Sequence, residues 1–201
     1  MANGIGGIMA NYLIDTNIFF ELLCGLAGKE NINKKSDLDK LAEGELYISE
    51  ITRVEIFSVI GKYARGEQEQ WQICARIKDE SGTKCMKKYY NPGRKKWKKA
   101  QIRDMRKLVN NILDGESKLL IVQVLKVTEG VLQEARRFIN YAFTYKFASL
   151  DAVIAGTAKY YSDKNLILVT YDKSLRTALY KDGGQIWYEP DIIVEGVCLS
   201  N

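Results

Sequence analysis

Four acidic residues stand where strand signals give way to helix signals: Asp15, Glu55, Asp151 and Asp172. Asp15 ends the apolar run Tyr12-Leu13-Ile14, and Asp172 closes the stretch Leu166-Ile167-Leu168-Val169-Thr170-Tyr171. Asp151 falls in the first turn of a helix expected to be capped by Ser149, where a carboxylate suits the helix dipole. Each of these three has a purely structural explanation as a cap, a first-turn acid or a turn former. Glu55 is different. Ile51 lies four residues before it and Val59 four after, so its helix face is partly apolar. An ionised carboxylate there costs several kcal/mol unless it is paired or bound to a cation. The residues leave open whether Glu55 turns inward or lies at the edge of the stripe and reaches solvent. Taken together, clustered anions repel, raise one another's pKa and call for a counter-cation. An all-oxygen site suits Mg²⁺ or Mn²⁺, which lower the pKa of bound water and stabilise the leaving oxygen of a phosphodiester.

The residue types that are missing narrow the chemistry further. The chain contains no histidine. That excludes triads built on histidine, histidine acid–base ribonuclease chemistry and histidine-bound zinc. Cys24, Cys74, Cys85 and Cys198 are scattered, with no paired metal spacing. They read as reduced thiols of a cytoplasmic protein, with small buried hydrophobes as their structural role.

Positioning these acids requires strands that alternate with helices. Tyr12–Ile14 reads as a strand followed by a helix through Leu23, and Leu46–Ile48 as a second strand. Ser49 can cap the next helix, whose expected core stripe is Ile51, Val54, Phe57, Ile60 and Ala64. Leu119 to Leu125 reads as a third strand, Thr128 as the cap of another helix, and Leu166–Val169 as a buried parallel strand. A last strand is expected at Gln185–Tyr188, after the turn at Gly183-Gly184. The helix after Ser149, about 11 residues, spans roughly 16 Å, and the strand returning from it spans about as much. Asp151 and Asp172 therefore come back to one level, the carboxyl edge of the sheet, where open α/β folds place their chemistry. The fold class expected is α/β: a three-layer α/β/α sandwich on a mainly parallel sheet, with a basic helical insertion around residues 67–107.

At 201 residues the chain is most simply one domain, 1–201, with residues 1–9 as a disordered start. That start lacks a basic flank and an apolar core and is not a signal peptide, and no apolar run reaches the ~18 residues of a membrane span. Charge is uneven. From Lys84 to Lys107 there are 11 basic residues and one acid, Asp104, while the rest of the chain carries a net −5. Lys87, Lys88, Arg94, Lys95, Lys96, Trp97, Lys98, Lys99 and Arg103 mix cations with an aromatic, a pattern that suits phosphates and unpaired bases. A solvated face is the ordinary explanation of such a run. A segment of +10 on an otherwise acidic domain favours nucleic acid instead.

Leu13-Ile14-Asp15-Thr16-Asn17, the Ile48-Ser49…Glu55 helix, Asp151-Ala152-Val153-Ile154-Ala155 and Thr170-Tyr171-Asp172 resemble the acidic motifs of PIN-domain nucleases. They are most similar to those of VapC-type toxins of toxin–antitoxin pairs, over nearly the whole chain and in the same order. The resemblance implies an α/β/α sandwich, Mg²⁺ or Mn²⁺ dependence, an RNA substrate, a homodimer and an inhibitory antitoxin. It carries metal-binding, catalytic roles onto Asp15, Glu55, Asp151 and Asp172, with Thr16, Asn17, Ser49 and Thr170 as supporting polar groups. The chain is longer than the compact toxins, mostly between Gly66 and Lys107, which leaves room for an RNA-processing nuclease outside such a pair. A haloacid-dehalogenase-like phosphatase would need a second Asp two residues after Asp15, where Asn17 stands. A non-catalytic RNA-binding module on the same fold would not require all four acids.

Overall fold

The computed structural model describes residues 10–28, 41, 44–66, 68–78, 84–91 and 96–182. The expected strand at Gln185–Tyr188 and the start at 1–9 lie outside them. By contacts the chain forms two compact units, Met1–Ile56 with Leu108–Asn201, and Phe57–Lys107.

The larger unit is built on a four-stranded, all-parallel sheet of β1 (Asn11–Ile14), β2 (Glu45–Ser49), β5 (Gln123–Leu125) and β6 (Leu166–Val169). Its spatial order is β5-β2-β1-β6. The chain thus winds outward from β1 through β2 to β5, then returns to the other side of β1. The switch point lies between β1 and β6, where such sheets open a crevice at their carboxyl ends. Both faces are covered. Leu13, Tyr47, Leu125, Leu166 and Leu168 share one core with residues of α4 (Glu129–Phe138), α5 (Ser149–Tyr160) and α6 (Lys173–Lys181). Tyr12, Ile14, Leu46 and Ile48, which point the other way, are buried as well. Burial on both faces is why these strands read as continuous apolar runs. Helix α1 (Thr16–Leu26) follows β1, and α2 (Glu50–Arg65) follows β2. The α/β/α fold class expected from the sequence is the one observed.

Several local expectations are corrected. The third strand is Gln123–Leu125 rather than Leu119–Leu125. Among the described residues it lies at the sheet edge with β2 as its one partner, and upstream of that ladder Leu119 and Ile121 are exposed. An aliphatic run supplies strand propensity, but the ladder needs a neighbour. In α2 the buried residues are Thr52, Ile56 and Ile60, whereas Val54 is 70% exposed. The inward face is rotated by about one residue from the expected stripe, because buried Thr52 takes a core position that a hydrophobicity count overlooks.

The smaller unit contains an antiparallel pair, β3 (Gln68–Lys78) and β4 (Lys84–Asn91), in register from Gln68↔Asn91 to Cys74↔Cys85, with an irregularity before Lys78↔Lys84. Among the described residues the expected helical insertion is therefore a strand pair over 68–78 and 84–91, followed by helix at α3 (Lys99–Leu113). The physical reason stands in the chain itself: Trp71, Ile73, Ala75 and Ile77 alternate at period two, and the return strand carries Tyr89 and Tyr90. Cys74 and Cys85, scattered along the sequence, stand opposite each other in that register. Among the described residues no helix is long and apolar enough to cross a membrane.

Candidate active site

Sheet register sets the site. β1 pairs with β2 from Asn11↔Glu45 and with β6 from Asn11↔Leu166. Carried one residue past Ile14, the same offsets put Asp15, Ser49 and Thr170 on one row across the carboxyl edge. The backbone agrees, since Asp15 N–H donates to the Val169 carbonyl at 3.0 Å.

Asp15 is the centre of that row and is only 3% exposed. As N-cap of α1 its Oδ1 accepts from Thr16 N–H at 2.6 Å, and its Oδ2 accepts from the Thr170 hydroxyl at 2.7 Å. Thr170 Oγ1 also accepts from Asp172 N–H at 3.1 Å, so one hydroxyl ties Asp15 to the start of α6. Asp172 caps that helix, its Oδ1 accepting from Leu175 N–H at 2.9 Å. Thr16 faces two ways, its N–H on Asp15 and its hydroxyl donating to Glu55 Oε2 at 2.5 Å. Glu55 thus turns into the site, which settles the choice the sequence left open.

Asp151 enters from α5. The N-cap of that helix is Ala148 rather than Ser149, and Asp151 Oδ2 reaches back to accept from Ala148 N–H at 2.7 Å. That bond is the reciprocal half of a capping box, a third-position carboxylate accepting from the N–H of the cap residue. Ser49 ends β2 and immediately precedes α2. Its hydroxyl lies 2.9 Å from that of Thr157, which donates to the Val153 carbonyl, so Ser49 is the donor and pins β2 to α5. Asn17 is exposed on the first turn of α1.

Of the four carboxylates, Asp15 and Asp151 feel the acids around them. Burial pushes Asp15 up to about 6, against the opposing hydrogen bonds from Thr170 and Thr16, and the charges of Asp151 and Glu55 add to the rise. Asp151 is also raised, first by burial, then by Asp172 and Glu55. No Lys or Arg is ion-paired to any of the four among the described residues. The donor set is all oxygen and short of positive charge, which fits a hard divalent cation. Among the described residues, however, no three acids or thiols close into a ready-made cage. Mg²⁺ needs none, since it keeps several waters and uses one or two carboxylates plus substrate phosphates.

In the smaller unit, Lys96, Lys98, Lys99 and Arg103 are exposed, while Arg94 and Lys95 lie outside the described residues. Lys87 and Lys88 stand on β4. Trp97 is half-buried and packs on Tyr63, ring centres 6.3 Å apart, so it is less free to stack on a base than its setting suggested. The structure adds Arg106 and Lys107. With Lys99 and Arg103 they line one exposed face of α3 at helical spacing, about 12 Å from end to end. Counting exposed positions at that spacing would have found them in the sequence.

The larger unit is thus an α/β body on a parallel sheet, with an acidic site at its topological switch point. The family model for the PIN domain matches residues 12–178, and the chain belongs to that family, whose members are generally nucleases. Comparison with curated proteins gives no match.

Proposed function

We propose that the protein is a metal-dependent endoribonuclease, using Mg²⁺ or Mn²⁺ held by Asp15, Glu55, Asp151 and Asp172. The observation that carries this is the buried Asp15, raised by burial beside two further acids and with no cation paired to it among the described residues. A bound divalent ion would lower the pKa of water and offset charge developing on the phosphodiester. The chain's own contribution is positional. Thr16 and Thr170 engage both oxygens of Asp15 and thereby hold its rotamer, and Thr16 aligns Glu55 with it. Asp151, half-exposed and raised, is the carboxylate suited to take a proton from an attacking water. Attack by water on phosphorus with the 3′ oxygen as leaving group breaks the P–O3′ bond and leaves 5′-phosphate and 3′-hydroxyl ends.

Total RNA incubated with Mg²⁺ or Mn²⁺ tests this against EDTA and against Asp151→Asn. Discrete cleavage with those ends, lost in EDTA and in the variant, is the expected result. Products with 2′,3′-cyclic phosphates would overturn the mechanism, and cleavage that survives both controls would overturn the site.

RNA as substrate is supported by the basic face of α3. Changing Lys99, Arg103, Arg106 and Lys107 together to Gln is expected to weaken single-stranded RNA binding and to lower its logarithmic salt slope by about 3. An unchanged slope, measured by fluorescence anisotropy, would remove that face from the interface. The role as toxin of a toxin–antitoxin pair rests on the resemblance of the acidic motifs. It predicts that induced expression arrests growth, and that Asp151→Asn relieves the arrest.

A further inference from the structure

We infer that Arg176 is a substrate-phosphate ligand at the mouth of the acidic site, a positive group that acts beside the four carboxylates. It stands on the first turn of α6, one helical turn after Asp172, to whose carbonyl its own N–H is bonded. Helical side chains lean toward the N-terminus, which here is the carboxyl edge of the sheet. Arg176 follows that rule: one terminal nitrogen of its guanidinium donates to the Thr170 carbonyl at 2.7 Å. Thr170 is the residue whose hydroxyl holds Asp15. The guanidinium is therefore fixed beside the row Asp15–Ser49–Thr170, on the β6 side of the switch point.

What it does not do is equally informative. It pairs with no carboxylate among the described residues, although Asp172 is one turn away. An arginine has five N–H donors in a fixed fork, and the Thr170 carbonyl engages one terminal nitrogen. A half-buried cation held by its backbone anchor, its remaining donors unspent among the described residues, is preorganised for an anion. At an edge made of carboxylates, that anion is supplied by the substrate rather than by the protein. A phosphodiester oxygen fits the fork, and docking it there would bring the chain of the RNA against Asp15 and Asp172. This inference rests on the ribonuclease reading above and names the group that would orient its substrate. Arg176 would be missed by any search for acids, since its role follows from one long-range bond to a backbone carbonyl.

Binding of a short fluorescein-labelled single-stranded RNA, measured in EDTA across a salt series, tests it without cleavage. Arg176→Gln is expected to weaken binding about tenfold, the scale of a charge-assisted hydrogen bond. Its logarithmic salt slope should fall by about 0.7, one phosphate on a single strand. Arg176→Lys, which keeps the charge and loses the fork, should retain the slope and recover only part of the affinity. A lowered melting temperature with an unchanged slope would show that Arg176 merely ties down the turn at Thr170, and would overturn the proposal. Equal binding by wild type and Arg176→Gln, with wild type still cleaving in Mg²⁺ or Mn²⁺, would overturn it alone. Wild type that neither binds nor cleaves RNA would overturn the nuclease reading and this proposal with it.

Discussion

Asp15→Asn is expected to abolish RNA cleavage, by about a thousandfold or more, while leaving the protein folded and, without a divalent cation, more stable at neutral pH. The two effects share one cause. Asp15 is buried, its carboxyl is raised from the ordinary 3.8 to about 6, and burial is the largest contribution. The folded protein therefore holds a proton between pH 4 and 6 that the unfolded chain releases. Stability from this group is fully present below pH 3.8, falls as pH rises through 6, and is lost above it. At neutral pH the loss amounts to about 3 kcal/mol. Asparagine does not titrate and nearly keeps the shape. Its amide oxygen can accept from Thr16 N–H, and its NH₂ can donate to the Thr170 hydroxyl, which has an accepting lone pair to offer. Urea unfolding of both proteins in EDTA from pH 4 to 8 checks this. The wild type should lose more stability across the window than the variant, in which the raised Asp151 still titrates; parallel curves would remove the burial argument. Adding Mg²⁺ or Mn²⁺ should then raise the wild-type midpoint and leave that of Asp15→Asn nearly unchanged.

Gly156→Ala is expected to destabilise the fold by about 2 kcal/mol, although alanine is the better helix former by about 1 kcal/mol. Gly156 sits in α5, fully covered by α4. A Cβ there would stand 2.7 Å from Ala135 N, 2.8 Å from the Val131 carbonyl oxygen and 3.0 Å from Ala135 Cα. All three are backbone atoms of α4, so no rotamer change relieves the clash and the helices must separate. Asp151 lies on the same helix, five residues earlier, and the shift would reach it. The midpoint of thermal unfolding should fall by roughly 4 to 8 °C, and turnover should drop more than RNA binding. A variant as stable as wild type would show that α4 and α5 do not pack as closely as described.

Much of this molecule was legible before its structure. Runs such as Leu46–Ile48 and Leu166–Val169 are strands because parallel strands buried on both faces need unbroken aliphatic sequence. Asp15 and Asp172 were findable because each follows such a run and caps the next helix, and Asp151 because it falls in a first turn. The misses have local causes too. The strand pair at 68–78 and 84–91 was hidden by polar residues, with its period-two signal read as helical. At α5 the helix begins at Ser149 itself, with Ala148 at the cap and its N–H bonded to Asp151.

By itself, then, the sequence determined the main strands and helices of the larger unit, their parallel sheet and which acids follow them, since period, propensity and capping act over a few neighbouring residues. Only the tertiary structure decided which way Glu55 turns, what holds Asp15 and where Arg176 is anchored. Thr16 and Glu55 are 39 residues apart, and Thr170 and Asp15 are 155 apart. No local pattern encodes such pairs. They exist because β1 lies between β2 and β6, so that one register row brings three distant chain segments to the same edge.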